Sequence, residues 1–214
     1  MDKKKIAENW VKMPKIDKKA YVDPSAEISG EVFINQDVMV APHVSIRADE
    51  GTPFYIGKGT NIQDSVTLHG LFEKFIEVDG KNYSIYIGTH VSIAHNAIIH
   101  GPTHIAKKCF VGFRSTIHHS IIRRNCFIDF HAVIKNATIG EDCYVGINAV
   151  VKKVIVPKNK YIKDGEIVNT QEKADNLPEV TAERHAELNL FNKEVVDFNK
   201  TLLSCKLQKI LKTQ

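Results

Sequence analysis

No run of about 18 apolar residues occurs anywhere in the chain, so a membrane-spanning helix is not expected. Cysteine is scarce. Cys109, Cys126, Cys143 and Cys205 are all there is, and none stands in a CxxC pair, which argues against a zinc ribbon or a disulfide-stapled module. The opening Met-Asp-Lys-Lys-Lys leads into a polar stretch with no apolar segment, so no secretory leader is expected, and a cytoplasmic protein with reduced thiols is the default reading. Neither sign of charge dominates. The net charge is +4, and Lys and Arg are scattered apart from Lys3–Lys5 and the last helical stretch, so there is no basic footprint for nucleic acid. The 43% of hydrophobic and 25% of charged residues suit an ordinary globular chain.

What is present is a repeat. Branched aliphatics stand six apart at Ile28, Ile34, Val40 and Ile46, again at Ile56, Ile62 and Leu68, and then every five or six residues from Ile87 to Val156. Small or medium residues follow four later, as at Val38, Ala97, Cys109, Cys126, Thr138 and Cys143. Glycine often comes directly after the aliphatic, as at Gly57, Gly88 and Gly112, where corners with unusual backbone angles would use it. A sustained hexapeptide period marks a mainly β fold, a parallel β-helix in which three units make one coil of a triangular prism. Periodicity leaves the sense of winding open. The reading divides the chain into a lead-in over 1–25, a β-helix over 26–163, a connector over 164–180 and a C-terminal helix over 181–214. In that helix Leu188, Phe191, Val195, Phe198, Leu202 and Ile210 lie near one face, so it should pack on the prism or on a neighbouring subunit. Thr181 is the expected N-cap. Cys109, Cys126 and Cys143, 17 apart, read as small buried residues of successive coils, and Cys205 as a packed residue of the helix.

The register also assigns histidines to walls. Ile46, Leu68, Ile99 and Ile117 begin the same face on successive coils, so Arg47, His69, His100 and His118 form one outward column. His69 and His100 are vertical neighbours one strand spacing apart. His95 follows Ile93 by two and leaves from the preceding wall. One subunit cannot bring all three imidazoles together, whereas prisms packed around a threefold axis can. Three neutral histidines with a fourth position open is the pattern of a catalytic rather than a structural metal site. His118 is read as peripheral to it, and His43, His90, His104, His119, His131 and His185 as solvated. Glu50 stands where the repeat wants a small inward residue. Arg47 with Asp49 or Asp64 reads as an intersubunit ion pair, and Gln63 as a hydrogen-bond donor beside the metal.

The motifs Ser45-Ile-Arg-Ala-Asp-Glu-Gly-Thr-Pro53, Thr60-Asn-Ile-Gln-Asp64, Leu68-His-Gly70, His95-Asn-Ala-Ile-Ile-His-Gly-Pro102 and Gly112-Phe-Arg-Ser-Thr116 together resemble the γ-class carbonic anhydrase family. The resemblance implies a homotrimer of left-handed β-helices. It implies Zn2+, or else Fe2+ or Co2+, held by His69 and His100 of one subunit and His95 of the next. The implied activity is reversible hydration of carbon dioxide to bicarbonate by a metal-bound hydroxide. By the same resemblance Arg47 and Asp49 match an interfacial pair, Glu50 and Gln63 match active-site residues, and Asn199 matches a substrate-orienting asparagine. Phe72 occupies the place of the family's shuttle glutamate, with Glu73 one residue later as the candidate substitute, and Asp197 replaces a tyrosine. Two further readings stand beside this one: a metal-binding but catalytically weak assembly trimer, and a hexapeptide acyltransferase.

Overall fold

All the repeat's aliphatics from Ile34 to Val156 are at most 2% exposed, and Ile28 packs against the same core. Because each must point inward, the chain turns a corner after every short strand. In the computed structural model, which describes residues 3–213, the strands stack into three parallel sheets of eight strands each. The side chains of Ile6 and of 209–213, Ile210 of the expected stripe among them, lie outside the described residues. The result is a left-handed parallel β-helix of about nine turns with a C-terminal helix. Register is constant from coil to coil: Ile46, Leu68, Ile99, Ile117, Ile134 and Val151 are successive partners on one wall. Strands at Lys15–Ile16 and Ile167–Val168 also join the walls, one at each end of the expected 26–163 span. The interruption before Ile85 folds outward as an antiparallel hairpin, Ile76–Val78 against Lys81–Tyr83. Among the described residues no helix is long and apolar enough to cross a membrane.

Two details of the repeat differ from expectation. Where the period shortens to five, the inward small residue comes three after the aliphatic. Ser120, Ala137 and Val154 are 2%, 5% and 4% exposed, and Thr138 is only half-buried. The glycines after the aliphatics do not supply unusual angles. A Cβ on Gly57 would sit 2.6 Å from the carbonyl carbon of Gly88, and one on Gly112 2.8 Å from that of Asp129, so these glycines let successive coils approach. Positive φ is carried instead by residues between the strands such as Asn96, Asn125 and Asp142 (60°, 57° and 60°) and by His43, His90, His119 and His131 (58°, 55°, 49° and 60°). Asn, Asp and His are the side chains best suited to that region after glycine.

Cys109, Cys126 and Cys143 stack in the core as expected. Their thiols donate to the Arg123, Gly140 and Pro157 carbonyls at 3.0, 2.9 and 3.1 Å. Burial pushes the Cys143 thiol up to about 11 and raises that of Cys126 well above its ordinary value, so little thiolate forms at neutral pH. Cys205 does not pack; it is exposed. A native thiol titration with an aromatic disulfide reagent is therefore expected to register one fast thiol per chain, and all four of the chain's cysteines after denaturation. More than one fast thiol in the native protein would contradict the stacked core.

The helix α1 (Lys3–Trp10) precedes the prism, α2 (Gln171–Asp175) follows its last strand, and α3 (Ala182–Thr213) returns along one wall. The Thr181 hydroxyl accepts from the Arg184 N–H at 3.2 Å, capping α3. On that wall Phe110, Phe127, Tyr144 and Tyr161 form an aromatic ladder, and the Phe191 ring meets Phe110 and Phe127 edge-on at 5.2 and 5.6 Å. Leu188 and Val195 pack with this group. The buried stripe then runs through Asn192, Val196, Asn199 and Leu203, so Phe198 and Leu202 of the expected face are 63% and 36% exposed. The Asn192 amide donating to the Lys108 carbonyl at 3.1 Å is one contact that sets this rotation.

Candidate metal centre

The column expected on one wall is present. Arg47 pairs in register with His69, His69 with His100, and His100 with His118. Each is the outward residue beside a buried aliphatic, so all project from the same side of the prism. The His69 and His100 rings lie 5.0 Å apart at 88°. His69 Nε2 and His100 Nδ1 are buried without a hydrogen-bond partner. Burial first, and then the His69 charge, hold the His100 pKa below its ordinary value, which keeps this ring in the neutral form a metal needs.

Above the pair sit the charged residues of the Ser45–Ala48 strand and the turn after it. Arg47 Nη2 donates to Asp49 Oδ2 at 3.0 Å and lies 3.7 Å from Glu50 Oε1. Asp49 is 2% exposed. Glu50 does not occupy an inward position. The chain leaves the coil after Ala48, and the Glu50 side chain, 32% exposed, lies with its carboxylate 3.6 Å from His69 Nε2. A carboxylate that the repeat would have buried is thereby put beside the histidine pair. Glu73 shares a small cleft with Glu50 and Phe72, but its carboxylate is paired with Lys5 of α1 at 2.7 Å.

His95 stands on the adjoining wall, the one α3 covers. Its Nδ1 is 2.9 Å from Asp64 Oδ2. A carboxylate there accepts a hydrogen bond from the Nδ1–H, which fixes the tautomer with Nε2 as the lone-pair nitrogen. Asp64 thus contacts His95 in this chain, and Arg47 contacts Asp49 and Glu50. A groove of about 570 Å³ between the wall and α3 is lined by Gln63, Asp64, His95, Phe198 and Asn199. Gln63 Nε2 donates to Asn61 Oδ1 at 3.2 Å, and Asn61 in turn donates to Ser92 Oγ at 2.9 Å. Asn199 is 8% exposed and its amide donates to the Val195 carbonyl.

The candidate residues therefore fall into two groups. His69, His100, Arg47, Asp49 and Glu50 gather at one wall, and His95, Gln63 and Asp64 stand on the next, with Asn199 of α3 lining the same groove. The chain does not bring His95 to the other two histidines. Among the described residues, the three histidines that do converge within one chain are His100, His118 and His119, whose ligating atoms lie within 4.8 Å of one another. His119 is partly buried and not separate: it stacks on His118 at 4.0 Å. Of the other histidines read as solvated, His43 and His131 are exposed while His90, His104 and His185 are partly buried. His104 lies edge-on to Tyr86 and His185 Nε2 is 3.1 Å from Asp142. The only sequence signal for the convergent group was the dipeptide His118-His119 at the foot of the ligand column. Burial, then His119 and His100, push the His118 pKa down to about 4.

A family model for the GMPPB C-terminal domain matches residues 82–182. The carbonic anhydrase of Methanosarcina thermophila is 39% identical over 178 residues, 78% of this chain and 65% of that protein. The carboxysome assembly protein CcmM of a Nostoc species is 39% identical over 166 residues, 77% of this chain and 27% of that protein. The chain thus spans between 27% and 65% of the length of these relatives. A solved Bacillus cereus protein, described provisionally as an acetyltransferase, superposes with a TM-score of 0.60 at 23% identity, covering 91% of this chain and 94% of that one. That likeness shows the fold alone.

Proposed function

The chain belongs to the γ-class carbonic anhydrase family, and from that premise we propose that it hydrates carbon dioxide reversibly to bicarbonate at a metal centre shared between subunits of a homotrimer. The observation that carries this reading is the division of the histidines. His69 and His100 are register neighbours with unpartnered buried nitrogens, while His95, oriented by Asp64, projects from the adjoining wall. An all-nitrogen set suits Zn2+, Co2+ or Fe2+ rather than Mg2+ or Ca2+. When bound, the metal acts as a Lewis acid that makes water a nucleophile near neutral pH. The chain's residues do the rest. His69, His100 and the neighbour's copy of His95 hold the ion, and Asp64 fixes which His95 nitrogen faces it. Gln63 and Asn199 line the groove beside His95, where their amides can orient substrate oxygens. Glu50, 3.6 Å from His69, is the carboxylate positioned to take a proton outward. Arg47 and Asp49 edge the shared surface. A cytoplasmic location belongs to the same reading.

Metal-loaded, anaerobically purified protein in a stopped-flow assay is expected to hydrate carbon dioxide well above buffer. No activity above buffer would overturn the proposal. One observation favours a slower variant of it, a metal-binding trimer with weak turnover. Glu73, the substitute shuttle, is held by Lys5 at 2.7 Å, so proton export falls to Glu50. If that step limits turnover, kcat rises with the concentration of an imidazole buffer while kcat/KM stays level.

Asp64→Ala is expected to weaken metal affinity roughly 10- to 100-fold, the usual effect of removing the group that orients a ligating histidine. A chelator-competition titration on the trimer reads this directly. An unchanged affinity would mean that the 2.9 Å contact does not orient the ligand.

A further inference from the structure

The column does not stop at the proposed ligands. On the next coil His118 stacks under His100 at 4.8 Å and 19°, and His119 turns back onto both, 4.0 Å from His118 and 5.8 Å from His100. His119 is a corner residue with φ 49°. That accounts for its backbone but not for a ring directed at two others. His100 Nδ1, His118 Nδ1 and His119 Nε2 are all buried without a hydrogen-bond partner. Orphaned buried nitrogens are unfavourable unless something occupies the space between them. No carboxylate belongs to the group, and Lys135 is the next residue in the column. An ion held here is bound by nitrogen lone pairs and not by negative charge, which excludes Mg2+ and Ca2+ and selects Zn2+, Co2+, Ni2+ or Cu2+.

We propose that His100, His118 and His119 form a second site for such a divalent transition metal, built within one chain and using the imidazole of His100 in turn with the shared centre. The two sites alternate, so a chain holds one ion in either. A subunit without a neighbour then has a place for metal, one strand spacing from where the assembled trimer would hold it. The inference takes the shared centre as its premise only for the alternation. Retention of metal by His100, His118 and His119 stands or falls separately from carbon dioxide hydration.

The test removes the shared centre and asks whether metal remains. His95→Ala and, independently, His69→Ala are loaded with Co2+ alone and desalted. Cobalt content and the visible spectrum are then read on protein whose oligomeric state and melting temperature have been checked. About one cobalt per chain is expected in each, with the absorption of a nitrogen-ligated ion. Adding His118→Ala and His119→Ala to either background is expected to abolish binding. The His118→Ala/His119→Ala protein with the shared centre intact keeps its single cobalt. Cobalt absent from both single variants, or retained after His118 and His119 are removed, would overturn the proposal whatever the hydration assay shows.

Discussion

His95→Ala is expected to reduce carbon dioxide hydration by roughly 10³-fold or more while the prism and its assembly persist. The metal's activation of water contributes several kcal/mol to the transition state, and each 1.36 kcal/mol is about tenfold in rate. Stability should change little, by under about 1 kcal/mol, because His95 is no part of the core. Its side chain is 45% exposed, and its contacts are Asp64 and the Phe113 ring at 5.3 Å. Stopped-flow hydration alongside a melting curve separates the two effects. A variant that hydrates carbon dioxide at the parent rate would remove His95 from the centre. A variant that loses both activity and fold would leave the question to Gln, which keeps the bulk of the side chain without an imidazole nitrogen and should show the same kinetic loss.

Arg47→Ala is expected to destabilise the protein most among surface changes near the site. Asp49 is 2% exposed and its Oδ1 has no partner, so the Arg47 guanidinium at 3.0 Å on Oδ2 is what balances that carboxylate. Removing it leaves a buried charge alone, worth about 1–3 kcal/mol, toward the lower end because the Arg47 side chain is 43% exposed and screened by water. For a chain of this length that is a fall of roughly 2–8 °C in melting temperature. If Arg47 also edges the trimer surface, sedimentation will show dissociation and carbon dioxide hydration will be lost with it. The double variant Arg47→Ala/Asp49→Asn separates the two contributions. It should recover most of the melting temperature, since no charge is left buried, but not the assembly. Full recovery of both would confine Arg47 to a role within its own chain.

The prism was legible because its rule is simple. A residue that must point inward at every coil is aliphatic at every coil, so Ile34 through Val156 announced their burial and fixed which side chains share a wall. From that register the placement of His69 over His100, and of His95 on another face, followed without further information. What was not legible turns on events outside the period. The five-residue units moved the inward position to Ser120, Ala137 and Val154. The chain's departure after Ala48 rotated Glu50 from a supposed core position to the edge of the histidine pair. Glycine's part was misread because close approach between coils and positive φ leave the same letter. Phe198 and Leu202 share helical spacing with Leu188 and Val195, yet contacts such as Asn192 with Lys108 rotated them to the surface. His119 looked like a solvated corner residue, as His43 and His131 are. Only the direction of its ring sets it apart, and ring direction is not written in spacing.

The shared centre is the claim on which the account depends, and it predicts complementation. His69→Ala and His95→Ala chains should each fail to hydrate carbon dioxide alone, the first lacking a ligand on the column and the second its contribution to a neighbour. Co-expressed in equal amounts and isolated as mixed trimers, they should regain about one third of the parent activity, because a ring holding both kinds of chain pairs an intact column with an intact His95 at about one interface in three. Mixed trimers as inactive as either parent variant would contradict a centre divided between subunits.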